Sequence, residues 1–369
     1  MATTVRDAHH YPEVGVPFFW PLAFAAALQE ATLASLSKSL KFLSEVNETQ
    51  IVRKAPVWST ENRIALELRT LTLRDFSRGS GSPVLILPPY AGHSSTIADF
   101  HAGQSLVATL LEHCPRVLVT DWRSATRQMQ FLDIDSYLAE INVCMDELGG
   151  KASLVGLCQG GWCAAMYAAR FPQKVQRLVI AGAPIDTQTG EGAIKHSVHS
   201  LPMLFFEELV RLGQGLLPGA FMLQGFKSMH PVQQFAQKFV DLYEHIDDPS
   251  YVSRFERFER WYEHTIDLPG TWYLQVISRL FKDNELAKGL FVALGRRLDL
   301  KHITCPVYLL AGDQDDITPK EQVFAAETLL GSSDVRKDVA KGGHIGLFMG
   351  RNVLRENWAR IGQWLTGTP

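Results

Sequence analysis

Several motifs that define common classes of protein are missing from this 369-residue sequence. It has no Cys-x-x-Cys or His-x-x-x-His pair, so no metal site is predicted. It also lacks the glycine-rich fingerprints of dinucleotide and nucleoside triphosphate sites, so no bound cofactor is predicted. The net charge is −3 and no block of Lys or Arg occurs, which argues against a nucleic-acid partner. Five cysteines, an odd number in a long chain, do not indicate a disulfide framework.

Long hydrophobic runs are also scarce, and no transmembrane segment is predicted. The apolar stretch Pro17–Leu28 is too short to cross a bilayer, and the acidic Asp7 and Glu13 before it disfavour a signal peptide. Leucines then recur at helical spacing over Leu33–Leu43. We predict a helical extension over residues 1–50, either packed on the core or docked on a lipid-like or polymer surface.

The most informative feature that is present is the pentapeptide Gly156–Gly160, which has the form Gly-x-nucleophile-x-Gly with Cys158 at its centre. The apolar run Ala152–Leu157 before it predicts a buried strand, and Trp162–Arg170 after it predicts a helix. A strand, a sharp turn and a helix are typical of the nucleophile elbow of an α/β-hydrolase, where flanking glycines relieve crowding. The alternatives are a buried structural cysteine and a phosphate-binding turn.

The rest of the chain predicts an α/β fold with a mostly parallel sheet and helices on both faces. Alternating residues over Glu61–Phe76 indicate antiparallel edge strands. Buried strands are predicted at 83–87, 116–120, 178–180, 307–310 and 335–339, and helices at 104–113, 134–148 and 353–365. Residues 187–299 show aromatic-rich helical patterns without clear buried strands, and we interpret them as a large helical lid insertion. The core would then comprise residues 51–186 and 300–369.

Cys158, Asp315 and His344 are the predicted catalytic triad. They follow the α/β-hydrolase order of nucleophile, acid and histidine. Each lies just past the C-terminal end of a predicted strand, so all three should meet at one edge of the parallel sheet. An imidazole beside a thiol favours the thiolate, and a carboxylate holds the imidazole in the useful tautomer.

Other residues compete for two of these roles. Asp313 and Asp316 lie in the same turn as Asp315, and Asp316 is the second choice for the acid. His93 and His101 follow the first parallel strand and are the alternative bases, although a base there would break the usual chain order.

The oxyanion hole requires two backbone donors. The amide of Gln159, directly after the nucleophile, is the first candidate. The second should come from the loop after the strand 83–87. Pro88 and Pro89 have no amide hydrogen, so Tyr90 or Ala91 is the predicted donor.

Several segments together show a family resemblance: Pro89–Thr96, Thr120–Trp122, Cys158–Gln159, Ala183–Asp186, Pro218–Phe226, Asp315–Ile317 and His344–Phe348. They resemble the intracellular polyhydroxyalkanoate depolymerases, which are α/β-hydrolases with a cysteine nucleophile. Gly160–Gly161 and Asp99–Val107 are more similar to the related polyhydroxyalkanoate synthases. Trp162 departs from the synthases, which usually have threonine there, and the chain lacks the proline that the depolymerases tend to have soon after Cys-Gln.

The resemblance implies that Cys158 attacks an ester or thioester and forms an acyl-thioester. The leading prediction is a depolymerase-like hydrolase of poly(3-hydroxybutyrate)-type polyesters or oligoesters. The alternatives are a synthase that uses 3-hydroxyacyl-CoA, a hydrolase of smaller esters, and a non-catalytic granule-binding protein. The resemblance further implies a cytoplasmic protein at the polymer granule surface, coenzyme A as acyl carrier, and a homodimer.

Overall fold

The computed structural model describes residues 55–229 and 238–367, and a single eight-stranded sheet runs through them. In chain order its strands are β1 Arg63–Glu67, β2 Leu71–Asp75, β3 Val84–Leu87, β4 Val117–Trp122, β5 Ala152–Leu157, β6 Val175–Ala181, β7 Val307–Gly312 and β8 Val335–Ala340. Their order in space is β1-β2-β4-β3-β5-β6-β7-β8. β2 pairs antiparallel with β1 and β4, and the pairs from β4 to β8 are parallel. The predicted mostly parallel sheet and its antiparallel edge are confirmed.

The burial of the strands explains why the sequence pattern predicted them. Every residue of β3, β5 and β7 is buried, which means that both faces of the central sheet are covered. Such strands appear in a sequence as continuous apolar runs. β8 lies at the edge and exposes Arg336 and Lys337, charges that oppose pairing with another chain.

The helices of the described residues are mostly short. In chain order they are α1 Leu106–Leu111, α2 Ile134–Glu147, α3 Gln159–Arg170, α4 Ala193–Ser200, α5 Met203–Leu212, α6 Gly219–Met229, α7 Lys238–Glu244, α8 Pro249–Glu263, α9 Gly270–Gln275, α10 Lys320–Phe324, α11 Ala326–Leu329, α12 Gly346–Met349, α13 Arg351–Val353 and α14 Ala359–Leu365. Further 3₁₀ turns span Ser95–Ala98, Arg127–Met129, Pro172–Lys174 and Leu300–His302, and π-helical segments span Val276–Lys282 and Leu354–Trp358.

Local capping decides where two predicted helices begin. Asp133 and Ser136 form a capping box that starts α2 where the sequence predicted it. The helix predicted from residue 104 instead begins at Leu106, because the Ser105 side chain accepts a hydrogen bond from the Ala108 amide (2.8 Å) and caps it.

The segment between β6 and β7 is largely helical, as predicted. One detail was wrong, because Leu216–Leu217 and Leu268–Pro269 form a buried two-stranded ladder. Strands of two residues are too short to show a periodic pattern. The lid role and the predicted domain boundaries stay predictions, and the predicted extension over residues 1–50 lies outside the described residues.

The chain divides into two compact units. The larger unit holds the whole sheet and includes residues 55–229 and 260–367. In the smaller unit the structure describes residues 238–259, where the buried Leu242 and Ile246 pack against Tyr243, Tyr251 and other apolar side chains.

Candidate active site

Cys158 lies at the sharp turn between β5 and α3. Its backbone has φ +49° and ψ −119°, a region that residues other than glycine rarely adopt. Two backbone hydrogen bonds hold the turn, from Cys158 N to the Ala181 carbonyl (2.8 Å) and from Gly161 N to the Cys158 carbonyl (2.8 Å). The structure thus has the predicted strand, sharp turn and helix around Cys158, and its role as nucleophile stays a prediction.

The glycines around Cys158 are required by close contact between backbones. A Cβ atom on Gly160 would overlap the Leu87 carbonyl group of β3 and would lie 2.8 Å from the Pro88 carbonyl oxygen. A Cβ on Gly156 would overlap Gly161. Because these neighbours are backbone atoms, a side chain could be accommodated only if α3 moved away from the sheet.

The other four cysteines are thiols whose pKa values are raised by burial. Cys114, Cys144 and Cys163 are buried and Cys305 is half-buried. Burial raises the pKa of the Cys144 and Cys163 thiols to about 12, and that of Cys114 and Cys305 to about 11. These thiols therefore stay protonated at neutral pH, as expected of structural cysteines.

His344 follows β8 and Asp315 follows β7, and the structure brings the two side chains together. The Nδ1 atom of His344 donates a hydrogen bond to Oδ2 of Asp315 at 2.8 Å, and the Asp315 side chain has no exposed surface. The other carboxylate oxygen of Asp315 accepts from the amides of Ile317 (3.1 Å) and Thr318 (2.8 Å). Both oxygens of this buried carboxylate are therefore satisfied.

The loops that hold the acid and the histidine are joined by their backbones. Asp313 N donates to the Ala340 carbonyl (3.0 Å), and Gly342 N donates to the Asp313 carboxylate (2.9 Å). Asp313 thus connects the two loops, while Asp316 is exposed. Of the three acids in this turn, the one that reaches His344 is Asp315.

Cys158 also acts on the pKa of His344, which indicates that the predicted nucleophile lies near the histidine. Burial alone would lower the pKa of His344. The charges of Asp315 and Cys158, together with the hydrogen bond to Asp315, outweigh it and raise the pKa well above the ordinary value. The electrostatics thus favour an imidazolium near Cys158 at neutral pH.

His93 is engaged elsewhere. Its Nε2 donates to the Tyr262 carbonyl at 3.1 Å, and its ring stacks on Trp261 and Tyr262 with centroids 5.1 and 5.2 Å away. Burial lowers the pKa of His93 to about 4, so the ring is neutral at neutral pH. His101 lies in the short strand Asp99–His101. The structure therefore places His344, rather than His93, beside Cys158.

The predicted oxyanion donors lie on two segments. Gln159 is the first residue of α3, so its amide has no acceptor within the helix. The Tyr90 side chain is buried, and its hydroxyl lies 3.2 Å from the carbonyl oxygens of both Arg123 and Asp267. Tyr90 could therefore contribute only its backbone amide. For Gln159, Tyr90 and the half-buried Ala91, the oxyanion role stays a prediction.

Sequence reasoning missed the residues that support this loop. The indole N–H of Trp122 donates to the Pro88 carbonyl (2.8 Å), and the Tyr137 hydroxyl donates to the Tyr90 hydroxyl (2.9 Å). From the other side, Ile266 N donates to the Gly92 carbonyl (2.9 Å). The signals for Trp122 were its place at the end of a buried strand and in the family-like segment Thr120–Trp122, whereas Tyr137 had no signal beyond its place on a helix.

Neither a metal cluster nor a membrane span was found in the described parts of the chain. No group of three His, Cys, Asp or Glu side chains within 55–229 and 238–367 is arranged to hold a metal ion. Over the same residues, no helix combines the length and apolar character needed to cross a bilayer.

Curated proteins similar to this chain include several poly(3-hydroxyalkanoate) polymerase subunits. The PhaC subunit of Allochromatium vinosum is 29% identical over 333 residues, covering 87% of this chain and 90% of the relative. The PhaC subunits of Haloferax mediterranei and Synechocystis sp. are 27% and 26% identical, covering 93% and 97% of this chain and 72% and 97% of the relatives. These names support the resemblance to the polyhydroxyalkanoate family and favour its synthase side over the predicted depolymerase.

Solved structures with the same fold are α/β-hydrolases of varied activity. A monoacylglycerol lipase from Paleococcus ferrophilus has a TM-score of 0.52 at 19% identity, covering 82% of this chain and 100% of that chain. An enol-lactonase from Burkholderia xenovorans has a TM-score of 0.52 at 14% identity, covering 80% and 97%. At such identities the likeness shows the fold alone, and it confirms the predicted α/β-hydrolase fold.

A family model also matches most of the chain. It runs over residues 67–361, from β1 into α14, and therefore includes the strands β2 to β8 and all three predicted catalytic residues. The chain, a relative of PhaC-type polymerases with an α/β-hydrolase fold, thus belongs to the family described as "Protein of unknown function (DUF3141)".

Proposed function

We propose that this protein is a cysteine-dependent acyltransferase that polymerises 3-hydroxyacyl groups from their coenzyme A thioesters. The observation that supports it is the strained turn at Cys158 together with the hydrogen-bonded His344–Asp315 pair, on whose histidine Cys158 acts electrostatically. The names of the PhaC relatives support the substrate class. A cytoplasmic location at the granule surface and a homodimeric form, both implied by the family resemblance, belong to the same proposal.

The first half-reaction transfers the acyl group to the enzyme. His344 holds the proton of Cys158, and the sulfur attacks the thioester carbonyl carbon. The negative charge that develops on the carbonyl oxygen is stabilised by the amide of Gln159 and by that of Tyr90 or Ala91. When the tetrahedral intermediate collapses, the C–S bond to coenzyme A breaks, and its sulfur takes the proton from His344.

The second half-reaction transfers the acyl group to a hydroxyl. The 3-hydroxyl of another hydroxyacyl unit attacks the acyl-Cys158 thioester, and His344 accepts its proton. An ester forms, the Cys158 sulfur leaves, and the growing chain gains one unit for each coenzyme A released. Cysteine suits this sequence because acyl exchange between two thioesters preserves an activated acyl group, whereas an ester to serine would not.

Hydrolysis is the competing outcome, because water could attack the same acyl-enzyme. The depolymerase-like segments, including Pro89–Thr96 and His344–Phe348, favoured that reaction. The two outcomes share Cys158, His344 and Asp315 and differ only in the acceptor. Product analysis therefore separates them, whereas loss of activity on mutation would not.

The test is incubation of the purified protein with 3-hydroxybutyryl-CoA, with free coenzyme A and acyl products measured by chromatography and mass spectrometry. We expect coenzyme A release, a mass adduct on Cys158, and ester-linked oligomers. Cys158→Ala should abolish all three, while Cys305→Ala, a matched control at a half-buried thiol, should retain them. Free 3-hydroxybutyrate as the sole product would assign hydrolysis, and an inactive wild-type protein would refute the proposal.

A further inference from the structure

A solvent-open cavity of about 540 Å³ lies beside the end of β4, a volume in the range of ligand pockets. Its lining includes Arg69 and Arg123 together with the polar side chains of Ser124, Thr126 and Gln128. The reaction steps proposed above leave these side chains without a role.

The two arginines are held in place with donors to spare. Arg69 donates from Nη2 to the Gln128 carbonyl (2.5 Å), and Arg123 donates from Nη1 to the Leu68 carbonyl (3.1 Å). A guanidinium has five N–H donors, so each of these contacts orients the group and leaves other donors. Both residues are exposed at the cavity, where a ligand can reach them.

The cavity is positively charged on balance. Among its lining residues the acidic one is Asp121, whose carboxylate accepts a hydrogen bond from Arg74 at 2.6 Å. The nearby Glu140 carboxylate accepts from both the amide and the hydroxyl of Thr70. With both acids already bonded, Arg69 and Arg123 present the groups suited to an anion, and the fork of a guanidinium matches a phosphate group.

The cavity and Cys158 lie at the same edge of the sheet. The register pairs Leu85 with Leu118 and with Leu154, so the ends of β4 and β5 lie at the same level on either side of β3. Strands two positions apart are separated by about 10 Å. The pantetheine arm of coenzyme A is about as long as four extended residues, roughly 13–14 Å. A thioester at Cys158 could therefore extend its phosphates toward this cavity.

Direct contacts also join the cavity to the predicted oxyanion loop. Trp122 lines the cavity and donates its indole N–H to the Pro88 carbonyl. The carbonyl of Arg123 lies 3.2 Å from the Tyr90 hydroxyl. A ligand held here would thus lie against the elements that support the reacting carbonyl.

We propose that this cavity binds the phosphate groups of the coenzyme A thioester through Arg69 and Arg123. The inference rests on the proposed acyltransferase function, to which it adds the site that distinguishes a coenzyme A thioester from a simple ester. It predicts a preference for the coenzyme A substrate over thioesters that lack phosphates.

The test compares 3-hydroxybutyryl-CoA with the 3-hydroxybutyryl thioester of N-acetylcysteamine, which lacks the phosphates. We expect Arg69→Ala and Arg123→Ala each to lower the ratio of kcat/KM for the coenzyme A substrate to kcat/KM for the N-acetylcysteamine thioester. The expected decrease is about tenfold to a hundredfold, the range for a hydrogen bond to a charged group. The loss should appear mainly in KM and shrink as salt is added. Arg78→Ala, an exposed arginine whose backbone bonds to Pro115 at the opposite edge of the sheet, is the matched control and should leave the ratio unchanged.

Four results would overturn the proposal or separate it from the function. If the variants leave the ratio of the two kcat/KM values unchanged, the arginines do not bind phosphate. If that happens because each variant loses activity equally with both substrates, the arginines only support the loop. If the wild-type protein turns over neither substrate, the acyltransferase proposal fails, and calorimetry then tests the cavity alone. Coenzyme A and ADP should bind the wild type more tightly than the double variant Arg69→Ala, Arg123→Ala, and equal binding would refute the site.

Discussion

Replacing Asp315 with asparagine tests the catalytic assignment most sharply, because the structure indicates which way the new side-chain amide would face. One carboxylate oxygen accepts from the amides of Ile317 and Thr318, and the other accepts from His344 Nδ1. An asparagine has only one oxygen. Two backbone donors would keep that oxygen in the first position and turn the amide NH₂ toward His344.

The consequence is the wrong tautomer of His344. The NH₂ of the asparagine would donate to Nδ1, so the single ring proton would move to Nε2, the nitrogen left to interact with Cys158. That nitrogen could then no longer accept the thiol proton. Loss of the correct tautomer costs on the order of 10⁴ in rate in a comparable triad, which corresponds to about 5 kcal/mol of transition-state stabilisation.

The pH profile should change with it. The charge of Asp315 is the largest of the influences that raise the pKa of His344 above the ordinary value. Because a raised pKa keeps the imidazolium to higher pH, the alkaline limb of the acylation rate in the wild type should lie well above pH 6.5. Without Asp315 that limb should move toward lower pH.

The assay is the burst of coenzyme A released in the first turnover, measured by rapid quench between about pH 5 and 10. Asp316→Asn is the matched control, since this acid is exposed in the same turn, and it should stay close to wild type. If Asp315→Asn retains a rate within about tenfold of wild type, or if Asp316→Asn loses as much, the assignment is wrong.

Two further predictions concern the packing around the site. Gly160→Ala would place a Cβ on the Leu87 carbonyl of β3, so we expect a loss of about 3 kcal/mol or more in the free energy of unfolding, or no folding. Urea denaturation measures this loss, and Gly225→Ala is the control because a Cβ there meets open space. Equal stabilities of the two variants would contradict the argument. His93 has a pKa of about 4 against an ordinary 6.5, so its unfolded form binds a proton more readily between those values, and the stability that it contributes is lost as pH falls. Between about pH 6.5 and 5 the wild type should lose roughly 2 kcal/mol relative to His93→Gln; a difference that does not vary with pH would show that the ring is not buried in its neutral form.

Much of the fold could be predicted because its signals are local. The continuous apolar runs of β3, β5 and β7 indicated strands buried on both faces, and the alternation over Glu61–Phe76 indicated the antiparallel edge. Helix ends were less well predicted, because they depend on single contacts such as the cap that Ser105 provides to α1. The π-helical segment Leu354–Trp358 within the last helical region had no sequence signal at all.

Short sequence motifs were not sufficient to distinguish a depolymerase from a synthase. Both groups share the cysteine elbow, and their distinguishing segments were divided between Pro89–Thr96 on one side and Gly160–Gly161 on the other. The acceptor of the acyl group is selected by the shape and wetness of the space above Cys158, which depends on residues far apart in the chain. Similarity over nearly the whole chain to PhaC subunits weighed more than the short segments.

The amino-acid sequence alone determined two features of the site. Cys158 lies between two glycines, and the predicted nucleophile, acid and histidine follow in that order, each after a strand. These features follow from chain-local geometry, since a strained turn needs glycine and parallel strands end at one edge. Only the tertiary structure decided that Asp315, rather than its acidic neighbours, reaches His344, and that Arg69 and Arg123 share a cavity. Such contacts depend on how side chains from distant segments point once the loops are closed, which the order of residues along the chain does not show directly.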